Sequence, residues 1–305
     1  MASHLAQPPE PPGAPSDPPS GSGPRAGSRP GGPGRVTVGG PQLRVDDLGL
    51  GVPVGPGPVR RIVSLVPSLT EAVAATAPGL LVGATDWCSH PADLAVARIG
   101  GTKNPDVRRI AALAPDLVLA NDEENRRPDL DALRAAGLAV WVTDVRTLEQ
   151  AFDSLHRLLT LGCGLPRPAW LDAAEAAWAD VAPPGPVLRR AVVPVWRRPW
   201  MVLGRDTFAG DLLRHLGVQV TLHAGHPDRY PAVPLPELLA SGPEVVVLPD
   251  EPYRFTAEDG PEAFPGIPAA LLSGRHLTWY GPSLAQAPRV LAAQLARARP
   301  GAAPD

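Results

Sequence analysis

Few side chains in this sequence are typed and spaced for chemistry. Cys88 and His90 stand two apart, so an extended segment would present both on one side, and His223 and His226 make a second pair. Two protein ligands are too few to close a metal site, so the chain is read as building no metal centre of its own. Cys88 or His90 could instead reach a metal that a ligand carries. The acidic run Asp122-Glu123-Glu124 has carboxylates enough for acid–base work, yet adjacent carboxylates on a loop are more commonly solvated or capping. No G-x-S-x-G elbow, phosphate loop, G-x-G-x-x-G or H-E-x-x-H occurs, so no residue is assigned to catalysis and the chain is not read as an enzyme. What stands out is aromatic: seven Trp against three Tyr and four Phe. Trp87, Trp200, Tyr230 and Tyr253 offer ring faces, with Cys88, His90, Asn121 and Glu123 beside them in sequence or on neighbouring loops. Burial of such faces is worth about 25 cal/mol per Å² before the costs of association. The chemistry implied is a noncovalent clamp on a flat ligand.

These residues need strands to deliver them. Leu80 to Ala84 and Leu117 to Ala120 are apolar runs too short for helices, and each ends in loop chemistry. They read as parallel strands whose carboxyl ends send Thr85 to His90 and Asn121 to Asn125 into one crevice. Between them lies a helix with Asn104 as N-cap and Pro105 at its first position. Upstream, Arg35 to Val38 and Gln42 to Val45 read as a hairpin, and Arg60 to Val66 as a buried strand. Downstream come a helix over 128–136 and a strand over 139–142. Thr147 to Leu161 and Pro168 to Val181 then read as two helices in succession, which breaks the alternation. A second lobe restarts with a strand over 190–196. It continues with a helix capped by Asp206, a short helix over 234–240, a strand over 244–248, a strand over His276 to Trp279, and a closing helix over 282–298.

The fold class is therefore α/β, with two small lobes of parallel-type sheets flanked by helices, bridged by one long helix, and a ligand cleft between the lobes. Residues 35–164 form the amino-terminal lobe, 165–183 the bridge and 184–305 the carboxyl-terminal lobe. Residues 1–34, rich in proline and glycine, read as a disordered tail. The formal net charge of −3, with 44% hydrophobic and 19% charged residues, describes an ordinary globular chain with no field for nucleic acid. No run is long and apolar enough to insert in a membrane, and a monomer is expected. A secretory leader is not visible in the residues as written, which points to the cytoplasm.

Three stretches carry a family likeness: Arg61 to Glu71 (RIVSLVPSLTE), Val82-Gly83 leading towards Pro91, and Pro115 to Ala120 (PDLVLA). With Trp200 to Gly217 and Asp250 to Phe255, they resemble the helical-backbone metal-receptor family. Within that periplasmic-binding-protein-like family the chain looks most like the vitamin B12-binding proteins of ABC importers. The resemblance implies a non-catalytic solute-binding protein. Its ligand would be a corrinoid (cobalamin-like) or another metal chelate, such as haem or an iron siderophore, and no intrinsic cofactor is implied. It also implies ring contacts from Trp87, Trp200 and Tyr230, and an ABC permease as partner. Arg108 falls near a position where the family docks with an acidic residue, so cytoplasmic residence as written is the expectation. Two alternatives stay open: a cytosolic ligand-sensing or interaction module derived from such a receptor, and an extracytoplasmic importer receptor whose start codon is misplaced.

Overall fold

The computed structural model describes residues 42–300, apart from 56, 183–184, 186–187, 205, 222–225 and 227. The tail over 1–34, the strand expected over 35–38 and His223 lie outside these residues. The chain begins with β1 (Gln42–Val45), which pairs antiparallel with β2 (Gly51–Val54). Among the described residues, the partner of β1 is β2. The reason is the turn: Asp46 Oδ1 accepts from the backbone N–H of Leu48 and Leu50 at 3.0 and 2.9 Å, and Gly49 takes the left-handed conformation that the reversal requires.

The first α/β layer follows in order: β3 (Ile62–Ser64), α1 (Pro67–Thr76), β4 (Leu81–Ala84), β5 (Ala97–Arg98), the small ladder of β6 (Gly100–Gly101) with β7 (Asn104–Pro105), α2 (Val107–Ala112), β8 (Leu117–Asn121), α3 (Arg127–Ala135) and β9 (Val140–Thr143). The sheet order is β5-β4-β3-β8-β9, and every pairing in it is parallel. Strands covered on both faces read as continuous apolar runs, and β8, Leu-Val-Leu-Ala-Asn, is buried at all five positions. The N-cap of α2 is Asp106, whose carboxylate accepts from Arg109 N at 3.0 Å. Asn104 and Pro105, expected to open that helix, are instead held in the ladder with Gly100 and Gly101.

Two helices then succeed one another. α4 (Leu148–Arg157) is capped by Thr147, runs into a π-helical turn over Leu158–Gly162, and is followed by α5 (Ala169–Ala179). The indole N–H groups of α5 reach both ways: Trp170 donates to Thr76 Oγ1 at 2.9 Å and Trp178 to Leu284 O at 3.1 Å.

The second layer contains β10 (Arg189–Val192), β11 (Pro194–Arg197), β12 (Trp200–Val202), α6 (Phe208–His215), β13 (Val218–Val220), α7 (Leu235–Ala240), β14 (Val245–Pro249), β15 (Pro268–Leu272), α8 (Gly274–Thr278), α9 (Ala287–Leu295) and β16 (Arg299–Pro300). The sheet order is β13-β10-β14-β15-β16, parallel except for the last pair. The single strand expected over 190–196 is two, because β11 leaves the sheet to pair antiparallel with β12. Thr207, not Asp206, caps α6, its hydroxyl accepting from Gly210 N at 3.2 Å. Asp206 sits at φ 55°, outside the extended conformation of a cap.

His276 to Trp279 is largely a helical turn and not a strand. The strand place is taken by β15, which pairs with β14 from Val246–Ala269 to Pro249–Leu272. Asp250 Oδ1 then accepts from Gly274 N at 2.7 Å and starts α8. Closing the chain, Pro282–Ala285 is a 3₁₀ turn separate from α9. Among the described residues, no helix is long and apolar enough to cross a membrane.

Candidate functional site

Strands β4, β8 and β9 of the first sheet and β14 and β15 of the second end in loops that meet. At the centre is Asn121, the last residue of β8, whose amide is fully used by the protein. Its Oδ1 accepts from the backbone N–H of Glu123 and Glu124, both at 2.9 Å, while Nδ2 donates to Thr143 O at 3.1 Å and to Tyr280 OH at 2.7 Å. Tyr280 comes from the second layer and is also 2.8 Å from Thr143 Oγ1. Burial raises its phenol pKa strongly, so it stays a neutral hydroxyl that joins the two strand ends. Asn125 completes the loop, accepting from Asn121 N at 2.9 Å and donating to Thr102 O at 2.9 Å. Asn121 was expected to touch ligand; buried and saturated, it instead shapes the acidic loop. Tyr280→Phe should cost about 1–2 kcal/mol, because it removes the acceptor for a buried amide N–H and the partner of Thr143. Urea unfolding of the two proteins measures this.

Glu123 faces the second layer. Tyr230 OH donates to its Oε1, and Arg229 Nη2 lies 2.7 Å from Oε2. Burial nevertheless raises the Glu123 carboxyl pKa, outweighing the Arg229 charge. Its neighbour Glu124 is pushed up to about 7 by burial, and next by the Glu123 charge, with Lys103 opposing. From the other side, burial pushes Glu251 up to about 7, with Asp250 adding and Arg275 opposing. Arg275 is itself paired with Glu71 on α1. His90 completes the rim, its ring edge-on to Trp279 with centroids 5.4 Å apart. Contacts between Glu123 and Tyr230 and between His90 and Trp279 thus span the two layers.

The remaining candidates separate. Trp87 is 68% exposed at the carboxyl end of the first sheet, its Nε1 beside Gly101. Cys88, expected at the ligand, points the other way: it is fully buried, with Sγ 3.0 Å from Thr70 Oγ1 and 3.1 Å from Thr85 Oγ1. A tight turn, Cys88 N to Thr85 O, aims it back at α1, and burial raises its thiol pKa. Trp200 and Tyr253, expected as ring platforms, belong to an aromatic cluster within the second layer. Trp200 lies parallel to Phe255 at 6.2 Å and edge-on to Phe264 at 5.5 Å, with the Arg197 guanidinium 5.5 Å over its ring. Arg197 is pinned there by Asp259 and Glu262. Tyr253 donates to Asp259 Oδ2 at 2.6 Å and packs on Phe255. The β11–β12 hairpin folds these rings onto a small core of their own, which leaves fewer faces free than the residue types suggested.

Residues the motif reading passed over include Lys103, Arg229, Glu251, Trp279 and Tyr280. The Trp279-Tyr280 pair, in a chain with only fourteen aromatic residues, was the signal available. No group of three or more His, Cys, Asp or Glu able to hold a metal occurs among the described residues. A cavity of about 890 Å³ is lined by residues such as Arg146, Arg190, Thr207, Asp211 and Arg214. Its arginines are paired with Asp144, Glu244 and Asp211. Among the described residues its lining has no aromatic ring and none of the candidates, so they give it no flat surface for a planar ligand.

Comparison with known proteins agrees with this architecture. No family model matches the chain. The vitamin B12-binding protein of Vibrio cholerae serotype O1 is 30% identical over 105 residues, which is 34% of this chain and 38% of that protein. The match therefore spans about two fifths of the length of that relative. The vitamin B12-binding protein of Pectobacterium carotovorum is 22% identical over 258 residues, 79% of this chain and 90% of that one. Among solved structures, the periplasmic vitamin B12 binding protein BtuF of Vibrio cholerae superimposes with a TM-score of 0.60 at 18% identity, covering 78% of this chain and 97% of that one. The periplasmic heme-binding protein RhuT from Roseiflexus sp. RS-1 gives 0.63 at 20% identity, covering 77% and 97%.

The fold is the α/β fold of the periplasmic binding proteins, with parallel sheets flanked by helices. Within that fold the chain is similar in sequence to vitamin B12-binding proteins. The expectation of a cytoplasmic protein is overturned by the same finding, because the solved relatives are named as periplasmic.

Proposed function

We propose that this chain is a non-catalytic, extracytoplasmic solute-binding protein that holds a corrinoid, or a similar planar metal chelate, between its two layers. One observation carries the reading: Trp87 leaves its indole 68% exposed at the carboxyl end of a parallel sheet, the place where open α/β sheets take their ligands. A large flat ring so placed is free to stack on a planar ligand. The relatives' named ligands support a macrocycle as that ligand, and the fold supports delivery to an ABC permease. Entry between the layers would replace the Glu123–Tyr230 and His90–Trp279 contacts, so the lobes must part by at least the thickness of a ring. The chemistry needed is shape and hydrogen bonding, with any metal arriving inside the ligand.

Tryptophan-fluorescence titration with cobalamin, cobinamide and haem tests the reading. Saturable quenching beyond the inner-filter effect by at least one of them is the expected result. Absence of saturable quenching by all three, or chemical turnover of any, would sink it.

A further inference from the structure

Resting on that reading, we infer that Trp196 is the second layer's stacking surface for the planar chelate, the counterpart of Trp87 in the first. The seven indoles differ sharply in exposure: Trp141, Trp178 and Trp279 are buried, Trp170 and Trp200 are half-buried, and Trp196 is 44% exposed. Of the seven, only Trp87 is more open. β11 carries the chain beyond the carboxyl end of β10 and pairs there with β12, so Trp196 stands where open α/β sheets take their ligands. Its ring is edge-on to Tyr253, with centroids 5.6 Å apart, and Tyr253 sits in the loop that leaves the carboxyl end of β14. Two residues earlier in that loop, Glu251 is hydrogen-bonded to Trp279, whose ring meets His90 of the first layer. Trp196 therefore belongs to the same rim that reaches across to the first layer.

The local structure turns this indole outward and holds it. Pairing between β11 and β12 steps from Pro194–Val202 to Trp196–Met201, a bulge with Val195 as the extra residue. A bulge re-aims the side chains around it, and here Val195 goes into the core while Trp196 goes out. Trp196 Nε1 donates to Arg198 O at 3.3 Å, so the N–H is used by its own hairpin and the ring face is what remains to offer. Next along the strand, Arg197 is held by Asp259 and Glu262, which ties the hairpin to the rest of the layer. A ring fixed in this way has little freedom left to lose on stacking. Trp200 and Tyr253 are covered by Phe255, Phe264 and Arg197. The hairpin thus gives one Trp to its own small core and presents the other.

Two measurements on the full chain test this. Hydroxyl-radical footprinting, read by mass spectrometry, compares oxidation of each Trp without and with saturating aquacyanocobinamide or haem. Trp170 is the internal reference, because its bond to Thr76, where α1 leads into β4, puts it at the opposite end of the first layer. Oxidation of both Trp87 and Trp196 should fall relative to Trp170. Calorimetric titration with the same two probes is then made on W196A, W196L and W196Y, with thermal melts to show that each is folded. W196A and W196L should bind about fivefold or more weakly than the parent, and W196Y, which keeps a flat face, should recover most of the loss. Protection of Trp87 without Trp196, W196A binding as tightly as the parent, or W196L binding as well as W196Y would overturn the inference while leaving a chelate receptor standing. Neither protection nor binding heat in the parent protein with either probe would overturn the inference and the parent reading together.

Discussion

Trp141→Ala should lower the unfolding free energy by about 3–5 kcal/mol, the range for deleting a large buried ring. Trp141 lies mid-strand in β9 and is the largest fully buried side chain. It packs so closely on the π-helical turn after α4 that a Cβ on Gly162 would come within 3.0 Å of its ring. The indole N–H has no partner among the described residues, which makes a second, discriminating expectation. Trp141→Phe keeps most of the apolar volume and removes an unpaired donor, so it should recover much of the loss. Urea unfolding with an unchanged m-value measures both. Equal losses for Ala and Phe would mean that the nitrogen is bonded after all.

Trp87→Ala should do the reverse, with little effect on stability and a large one on binding. A side chain 68% exposed has little packing to lose, so unfolding should shift by no more than about 0.5 kcal/mol. If the ring is the platform, its removal costs about 1–3 kcal/mol of corrinoid affinity, or roughly five- to 150-fold. Trp200→Ala is the control with the opposite profile, because its ring packs on Phe255 and Phe264 and its loss should fall on stability first. Calorimetric titration is the suitable readout, since both variants remove a fluorophore. A Trp87→Ala protein that binds as well as the parent would move the platform elsewhere, Trp279 being the next ring in the cleft.

The α/β class and most elements were legible because the physics behind them is local. Strands such as Leu-Val-Leu-Ala-Asn and Val-Val-Val-Leu-Pro, buried on both faces, leave an unbroken apolar run that no surface element carries. β15 was not legible: Pro-Ala-Ala-Leu-Leu has weak strand propensity, and its pairing with β14 decides it. Once β15 holds that place, His276 to Trp279 has no sheet position left and turns into α8. The site was legible as residue types and not as directions. Cys88 and Trp87 are adjacent, yet one packs back on α1 and the other stands in solvent, a difference set by the Thr85–Cys88 turn. Trp200 and Tyr253 carry the same surfaces as a ligand platform would, but Phe255, Phe264 and Arg197 cover them first.

The claim that this chain holds a planar chelate between its layers is tested most directly by co-elution. The full chain is mixed with aquacyanocobinamide at neutral pH and passed through a gel-filtration column, with the corrin absorbance read across the protein peak. The account predicts one corrinoid per chain travelling with the protein, and less of it in Trp87→Ala, whose melting temperature is nearly unchanged. Corrin absorbance that elutes entirely apart from the folded parent protein would contradict it.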